Sequence, residues 1–330
     1  MDHRSEPPPV LERPVQAFAD AYDTDAYDTD AYGTAAPGDR DASADRTAAL
    51  LGEAERSSDV EEEWLAVPGD DGERVRVRIL RPAGADEALP VVLHLHGLGG
   101  VRTTAGAHQR LLEDVVLGVD AAVVVPEYDL AGAAPHPVAL EQAYTVLRWI
   151  AGGGGERLLD GCRVAVHGVS TGANLAAALT LLAKERGDVD LLYQVLVCPV
   201  VDAGMGTASH RLFARGYVVG GAALRAFWRR YLPDGAPRAA ATASPARATV
   251  DQLRGLPPAL VLTAEADAVR DEGEAYAARL RAADVPVVSA RYHGTIHGFV
   301  LFDPLRHSWA SRAARVQILD TLHVALHRTW

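Results

Sequence analysis

The stretch Gly168-Val169-Ser170-Thr171-Gly172 lies between an apolar run, Arg163 to Val166, and a helix-like segment, Ala173 to Leu179. This order predicts a strand, a sharp turn and a helix, with Ser170 on the turn. A serine on such a turn lifts its hydroxyl clear of the sheet, and the flanking glycines give the backbone room to reverse. We therefore predict that Ser170 is a nucleophile, with Gly168 and Gly172 as its support.

A serine hydroxyl is a weak nucleophile at neutral pH, so it needs a histidine base and a carboxylate that holds the histidine. Asp267 follows shortly after the apolar run Ala259 to Leu262, near the carboxyl end of a predicted strand. In open parallel sheets, functional sites form at the carboxyl ends of the strands. His297 follows the strand-like run Val285 to Tyr292 in a glycine-bounded loop. We predict Asp267 and His297 as the partners of Ser170, and Glu265 is an alternative acid.

Acyl transfer also needs backbone donors for the developing oxyanion. The apolar run Pro90 to Leu95 leads into His96-Gly97-Leu98-Gly99-Gly100, the place expected for a glycine-rich donor loop. The candidate donors are the N–H groups of Leu98, Gly99 and Thr171, and His96 and Gly97 support the loop.

Apolar runs and helical patterns alternate along the chain. The strand-like runs are 90–95, 121–125, 163–166, 191–197, 259–263 and 285–292, and the helical patterns are 105–117, 137–151, 172–185, 271–283 and 309–327. This alternation predicts an α/β fold with a mostly parallel central sheet and helices on both faces. The segment Glu73 to Arg81 alternates apolar and charged residues, which predicts a half-exposed edge strand.

Five ordered motifs resemble the hormone-sensitive-lipase-like carboxylesterases and acetyl hydrolases of the α/β-hydrolase fold. The motifs are His96 to Gly99, Tyr128 to Ala131, Gly168 to Leu175, Leu256 to Val261 with Asp267 to Gly273, and His293 to Phe299. Several positions depart from the family. Leu98 replaces a glycine of the donor loop, and Val169 replaces an acid beside the nucleophile. After Tyr128, Asp129 replaces an arginine, and Gly132-Ala133 replaces Pro-Glu.

The resemblance implies a helical cap over the nucleophile, built from the amino-terminal segment and an insertion. We expect residues 1–60 to form an acidic amino-terminal segment that is partly cap, and residues 61–330 to form the catalytic domain, with the cap insertion near 203–245. Within the insertion, Phe213 and Trp228 are candidates for the substrate pocket. The aspartate-rich repeat at 23–32 is expected to be a solvated acidic tail or a cap lead-in, with a cation site or a substrate-covering flap as the alternatives.

The composition fits one large α/β enzyme, with 48% hydrophobic and 23% charged residues in 330. A net charge of −12 argues against nucleic acid as a partner, because nucleic acids are bound through clustered Lys and Arg. Met1 to Pro14 has no apolar core, so we expect no stable membrane insertion and a cytoplasmic location. The remaining histidines lack metal-ligand spacing, so neither a metal nor a cofactor is predicted. Dimers occur in the resembled family, so a homodimer is an allowed assembly.

The sequence thus predicts a serine hydrolase that cleaves carboxylic esters with small to medium acyl groups through an acyl-enzyme. One alternative is an N- or O-deacetylase of a specialised metabolite, because ester and amide cleavage share the tetrahedral intermediate. A second alternative is a ligand-binding relative without catalysis, against which the presence of His297 argues. In each case the expected partner is a small-molecule ester or an acetylated substrate.

Overall fold

Strands and helices alternate along most of the chain. The computed structural model describes residues 8–21, 56–69, 72–97, 108–129, 134–233 and 238–328. The strands are β1 (Val60–Pro68), β2 (Arg74–Pro82), β3 (Leu89–Leu95), β4 (Ala122–Glu127), β5 (Leu159–Val169), β6 (Tyr193–Val197), β7 (Ala259–Ala266) and β8 (Val287–Ile296). The helices are α1 (Arg13–Ala21), α2 (Gln109–Val119), α3 (Val138–Gly153), α4 (Thr171–Arg186), α5 (Ala208–Leu212), α6 (Gly221–Tyr231), α7 (Val250–Leu253), α8 (Arg270–Ala282) and α9 (Trp309–His327).

The eight strands form one sheet in the order β1-β2-β4-β3-β5-β6-β7-β8. β2 is antiparallel to both β1 and β4, and every other neighbouring pair is parallel. On one face of the sheet α2 packs against α9, and on the other α3 packs against α4. The predicted fold class, a mostly parallel sheet covered on both faces, is confirmed.

The prediction that Glu73 to Arg81 forms the edge of the sheet is wrong. β2 pairs with β1 on one side and with β4 on the other, so β1 takes the edge. Two arginines of β2 pair with carboxylates of this neighbour: Arg78 is 3% exposed and contacts Glu62 at 2.7 Å. Arg81 contacts Glu63 at 2.6 Å in the same way. A strand with alternating charges can therefore lie inside a sheet when the next strand supplies the counter-charges.

The helix that follows the nucleophile stretch lies in the centre of the molecule. From Thr171 to Ala183 every residue of α4 is buried, which explains its run of alanine and leucine on all sides. Its N-terminus meets the carboxyl ends of β3 and β5, where Gly97 and Val169 come together. The fold thus places the first turn of a buried helix at the carboxyl ends of the parallel strands, where α/β sites are found.

A long insertion separates β6 from β7. It contains α5, α6, a 3-10 turn at Pro245–Arg247 and α7, and it includes most of the predicted cap segment 203–245. Asn174 of α4 ties this insertion to the body, because its side-chain amide donates to the carbonyl oxygens of Val200 and Ala243. The repeat at 23–32 lies outside the described residues.

The amino-terminal helix α1 packs beside the loop that carries His297. Phe18 stacks near Phe302 with ring centroids 5.0 Å apart. The Glu12 carboxylate accepts from the N–H groups of Trp309 and Ala310, which begin α9. Among the described helices, none combines the length and the apolar character that crossing a membrane requires.

Candidate active site

Ser170 lies on a tight turn between β5 and α4. Its backbone has φ 61° and ψ −122°, a conformation that costs a non-glycine residue energy and persists only where the surroundings impose it. The turn is possible because glycines flank it: a Cβ at Gly172 would collide with the Leu95 carbonyl oxygen, and one at Gly168 with the Gly172 carbonyl. The serine hydroxyl is thereby held at the carboxyl end of β5, on the turn that the sequence predicted.

His297 lies within hydrogen-bond distance of both Ser170 and Asp267, the residues predicted to act with it. His297 Nε2 is 2.8 Å from Ser170 Oγ, and His297 Nδ1 is 2.9 Å from Asp267 Oδ2. Each follows the end of its strand directly: Asp267 comes one residue after β7 and His297 one residue after β8. All three are nearly buried, with 8%, 1% and 3% of Ser170, Asp267 and His297 exposed.

Backbone and side-chain neighbours hold the Asp267 carboxylate in place. Its Oδ1 accepts from the Val269 N–H at 3.0 Å, which leaves Oδ2 for His297. Cys198 lies against the same carboxylate, and burial together with the Asp267 charge raises the pKa of its thiol well above the usual value. The thiol therefore stays protonated and can serve only as a weak donor.

Glu265, the alternative acid, is turned toward a different part of the chain. Its Oε2 accepts from the Gly294 N–H at 2.7 Å, and its Oε1 lies 3.2 Å from His293. These contacts, chiefly the Gly294 N–H, lower the pKa of Glu265 against the effect of its partial burial. The geometry therefore favours Asp267 as the partner of His297.

The described part of the predicted donor loop lies beside the nucleophile. A Cβ at Gly97 would collide with the Val169 carbonyl oxygen, so the loop approaches the turn as closely as glycine permits. Tyr128 donates from its hydroxyl to the His96 carbonyl oxygen, and the two rings stack at 4.1 Å. Thr171 is the first residue of α4, so its N–H is one of those with no partner within the helix. Leu98 and Gly99 lie outside the described residues.

Three buried histidines form a hydrogen-bonded chain behind this loop. His94 Nδ1 is 3.0 Å from His167 Nδ1, and His94 Nε2 is 2.9 Å from His108 Nδ1. A neutral His94 has one proton, so it donates at one end and accepts at the other. Burial lowers the pKa of all three, to about 4 for His167 and about 3 for His108. The three neutral rings thus connect β3, β5 and the start of α2 by hydrogen bonds.

A partly open cavity lies beside Gly97 and Thr171. From the insertion it is lined by Phe227 and Tyr231, which lie four residues apart on one face of α6. The predicted pocket residues Phe213 and Trp228 are buried but are not among the residues that line this cavity. Phe213 packs on Tyr217, and Trp228 packs against Phe227 and Tyr231. The i, i+4 spacing of Phe227 and Tyr231 was the available sequence signal, but it did not show which face of α6 meets the body.

Comparisons with known proteins agree with this geometry. A family model described as the α/β-hydrolase fold matches residues 92–301. This chain is a member of the α/β-hydrolase family. The α/β-hydrolase is 33% identical to the carboxylesterase NlhH of Mycobacterium tuberculosis, over 69% of this chain and 72% of that protein. It is 31% identical to the ethyl acetate hydrolase of Pseudomonas putida, over 77% of this chain and 80% of that protein.

Solved structures show the same similarity over nearly the whole length. The structure of a thermostable esterase from Pseudomonas putida covers 98% of this chain and 100% of its own, with a TM-score of 0.89 and 37% identity. The α/β-hydrolase thus shares its fold with an esterase of known structure.

Proposed function

We propose that this α/β-hydrolase is a serine carboxylesterase acting on esters with small to medium acyl groups. The observation that carries the proposal is the continuous hydrogen-bonded set of Ser170, His297 and Asp267, with 2.8 Å and 2.9 Å between successive partners. This arrangement is the one that activates a serine hydroxyl as a nucleophile. Relatives and structural neighbours named as esterases support the same activity.

In the proposed reaction His297 Nε2 takes the Ser170 proton while Oγ forms a bond to the ester carbonyl carbon. The carbonyl oxygen becomes an oxyanion, for which the N–H groups of Thr171, Leu98 and Gly99 are the proposed donors. The imidazolium then gives its proton to the leaving alcohol oxygen as the C–O bond breaks. Water repeats these steps on the acyl-enzyme and releases the acid.

Asp267 has an orienting and electrostatic role in this proposal. By accepting the Nδ1 proton of His297 it keeps Nε2 unprotonated and directed at Ser170. Its charge stabilises the imidazolium that forms during attack. Burial strengthens this interaction, because water does not screen it at the site.

We propose that the insertion near 203–245, together with part of residues 1–60, covers this site as a cap. The support is that Phe227 and Tyr231 of α6 line the cavity beside Thr171. The Tyr231 carbonyl oxygen also accepts from the His136 N–H on the body. The division into an amino-terminal segment and a catalytic domain, the cytoplasmic location and the homodimer stay predictions.

Hydrolysis of p-nitrophenyl esters from acetate to dodecanoate tests the proposed function, with Ser170→Ala as the control. We expect an optimum at short to medium acyl chains, because the cavity is small and Phe227 and Tyr231 form part of its wall. The substitution should abolish that turnover. An absence of Ser170-dependent turnover at every chain length would contradict the esterase proposal and favour an amide deacetylase or a ligand-binding protein.

A further inference from the structure

Four of the residues that line the cavity beside the nucleophile carry aromatic rings. Phe227 and Tyr231 stack at 5.2 Å with an interplanar angle of 16°, and on the body side Tyr128 stacks on His96. The faces of such rings carry the negative part of the aromatic quadrupole, which attracts cations. Two stacked pairs from different parts of the chain thus contribute to one cavity.

Among the residues lining this cavity, Asp129 is the one that carries a carboxylate. Burial lowers the pKa of His96 to about 4, so that ring is neutral. Gln142 fixes Asp129 at two points: its side-chain amide donates to Oδ2 at 2.9 Å, and its oxygen accepts from the Asp129 N–H at 2.7 Å. A carboxylate has about four acceptor sites, so this contact leaves Asp129 able to bind a further donor or cation.

Tyr231 also offers the cavity a polar atom. Its side chain is 3% exposed, and its hydroxyl has no hydrogen-bond partner within the described part of the protein. Buried hydroxyl groups are normally paired, so an unpaired one in a cavity wall points to a ligand or water that completes it. The residues that line the cavity therefore include aromatic rings, a carboxylate and a tyrosine whose hydroxyl is unpaired within the described residues.

The position of the cavity indicates which part of an ester would occupy it. Gly97 and Thr171 border it, whereas His297 is not among its lining residues. In the proposed reaction the leaving alcohol must face His297 Nε2 to receive a proton, and the oxyanion faces the Thr171 N–H. The acyl chain points away from the leaving alcohol, and it is assigned to the cavity because the cavity borders Gly97 and Thr171 rather than His297.

We propose that this enzyme prefers esters whose acyl chain ends in a cationic ammonium group, held by Asp129 and the rings of Tyr128, Phe227 and Tyr231. The inference rests on the proposed esterase function and adds the substrate class to it. Asp129 and the group of rings should each favour the cation about threefold. We therefore expect a preference of roughly tenfold for the cationic ester over a neutral one of the same shape.

Two isosteric esters test the inference directly: p-nitrophenyl 4-(trimethylammonio)butanoate and p-nitrophenyl 5,5-dimethylhexanoate. The readout is the ratio of their kcat/KM values, which is insensitive to the fraction of folded enzyme. The wild type should show a ratio of roughly ten, and Asp129→Asn and Tyr231→Leu should each lower it about threefold. Glu127→Gln is the matched control, because this neighbouring carboxylate pairs with Arg76 outside the cavity and its loss should leave the ratio unchanged.

A second pair carries the cation in the alcohol: 2-(trimethylammonio)ethyl acetate and 3,3-dimethylbutyl acetate. A cation preference in this pair alone would overturn the acyl placement. A ratio near one in the first pair, or a ratio that Asp129→Asn leaves unchanged, would overturn the inference while neutral-ester hydrolysis still supported the esterase function. An absence of Ser170-dependent turnover of any of these esters would overturn both.

Discussion

Asp267 and Glu265 lie two residues apart at the end of β7, and only Asp267 reaches His297. Asp267 is 1% exposed and bonds to His297 Nδ1 at 2.9 Å, whereas Glu265 binds the Gly294 N–H. Alternation along a strand places both on one side, so sequence spacing alone could not separate them. The difference arises because β7 ends at Ala266 and the chain turns there.

Replacing Asp267 by Asn should lower kcat by about 10³- to 10⁴-fold with little change in KM, because the amide favours the wrong tautomer of His297. Steady-state kinetics on p-nitrophenyl acetate measures this effect. Glu265→Gln is the matched control: it keeps an acceptor for the Gly294 N–H and should leave kcat within a few-fold of the wild type. A large loss in Glu265→Gln with an active Asp267→Asn would reverse the assignment.

The order and identity of the proposed Ser170, Asp267 and His297 set could be predicted from sequence, because each follows a recognisable buried strand. The residues that line the cavity could not be predicted from the sequence. Phe227 and Trp228 are adjacent and equally aromatic, and the choice between them depends on how α6 rotates against the body. That rotation is set by packing across distant parts of the chain.

At the scale of elements, helix α5 is docked directly on the segment that carries Asp267. The Ser209 hydroxyl donates to the Ala268 carbonyl oxygen at 2.8 Å and accepts from the Asp271 N–H at 3.2 Å. His210 lies 3.0 Å from the buried Glu272 on the same segment. The insertion therefore braces the loop that presents the carboxylate to His297.

Ser209→Ala should lower both stability and turnover. The loss of two buried hydrogen bonds should cost about 1–3 kcal/mol of unfolding free energy. Loosening of the acid loop should lower kcat roughly tenfold, since even a 1 Å misplacement can cost ~10²-fold. Urea unfolding and kinetics on the same preparation measure both effects.

Thr180→Ala is the matched control for Ser209→Ala, because it removes a buried hydroxyl that bonds to Ala177 within α4. It should leave kcat unchanged. If Ser209→Ala lost stability but kept the wild-type kcat, α5 would support the fold without positioning Asp267.

The edge strand β1 is the element of the sheet that the sequence did not predict. β1 was not predicted, because its run Glu61-Glu62-Glu63 lacks the apolar alternation of a strand. Glu62 and Glu63 pair with Arg78 and Arg81 of β2, a contact between two strands that neither segment reveals alone. The inner strands were predicted because burial on both faces makes them continuously apolar.

For the whole molecule, the neutral histidines inside the body link stability to pH. The pKa values of His94, His108 and His167 are lowered by burial, so the unfolded chain binds protons below about pH 6.5 that the folded protein does not. Stability rises with pH wherever the unfolded state binds more protons. The unfolding free energy should therefore fall as the pH drops from 6.5 toward 4.

The expected size of this effect is about 1.4 kcal/mol per pH unit for each such histidine. Urea unfolding at pH 7, 6 and 5 measures it, with His108→Gln as the comparison, because glutamine can keep the contact with His94 but does not titrate. The variant should show the shallower slope. Glu272, whose pKa burial raises, acts in the opposite direction in both proteins, so it cancels in the comparison. Equal slopes would contradict a neutral His108 in the folded state.

The central claim is that Ser170 is an activated nucleophile held by His297 and Asp267. Labelling with a fluorophosphonate, followed by intact-mass measurement and peptide mapping, tests it most directly. We predict one label per chain, located on Ser170, which is absent in Ser170→Ala and strongly slowed in His297→Gln. A folded wild-type protein that takes up no label, or takes it up at another residue, would contradict the account.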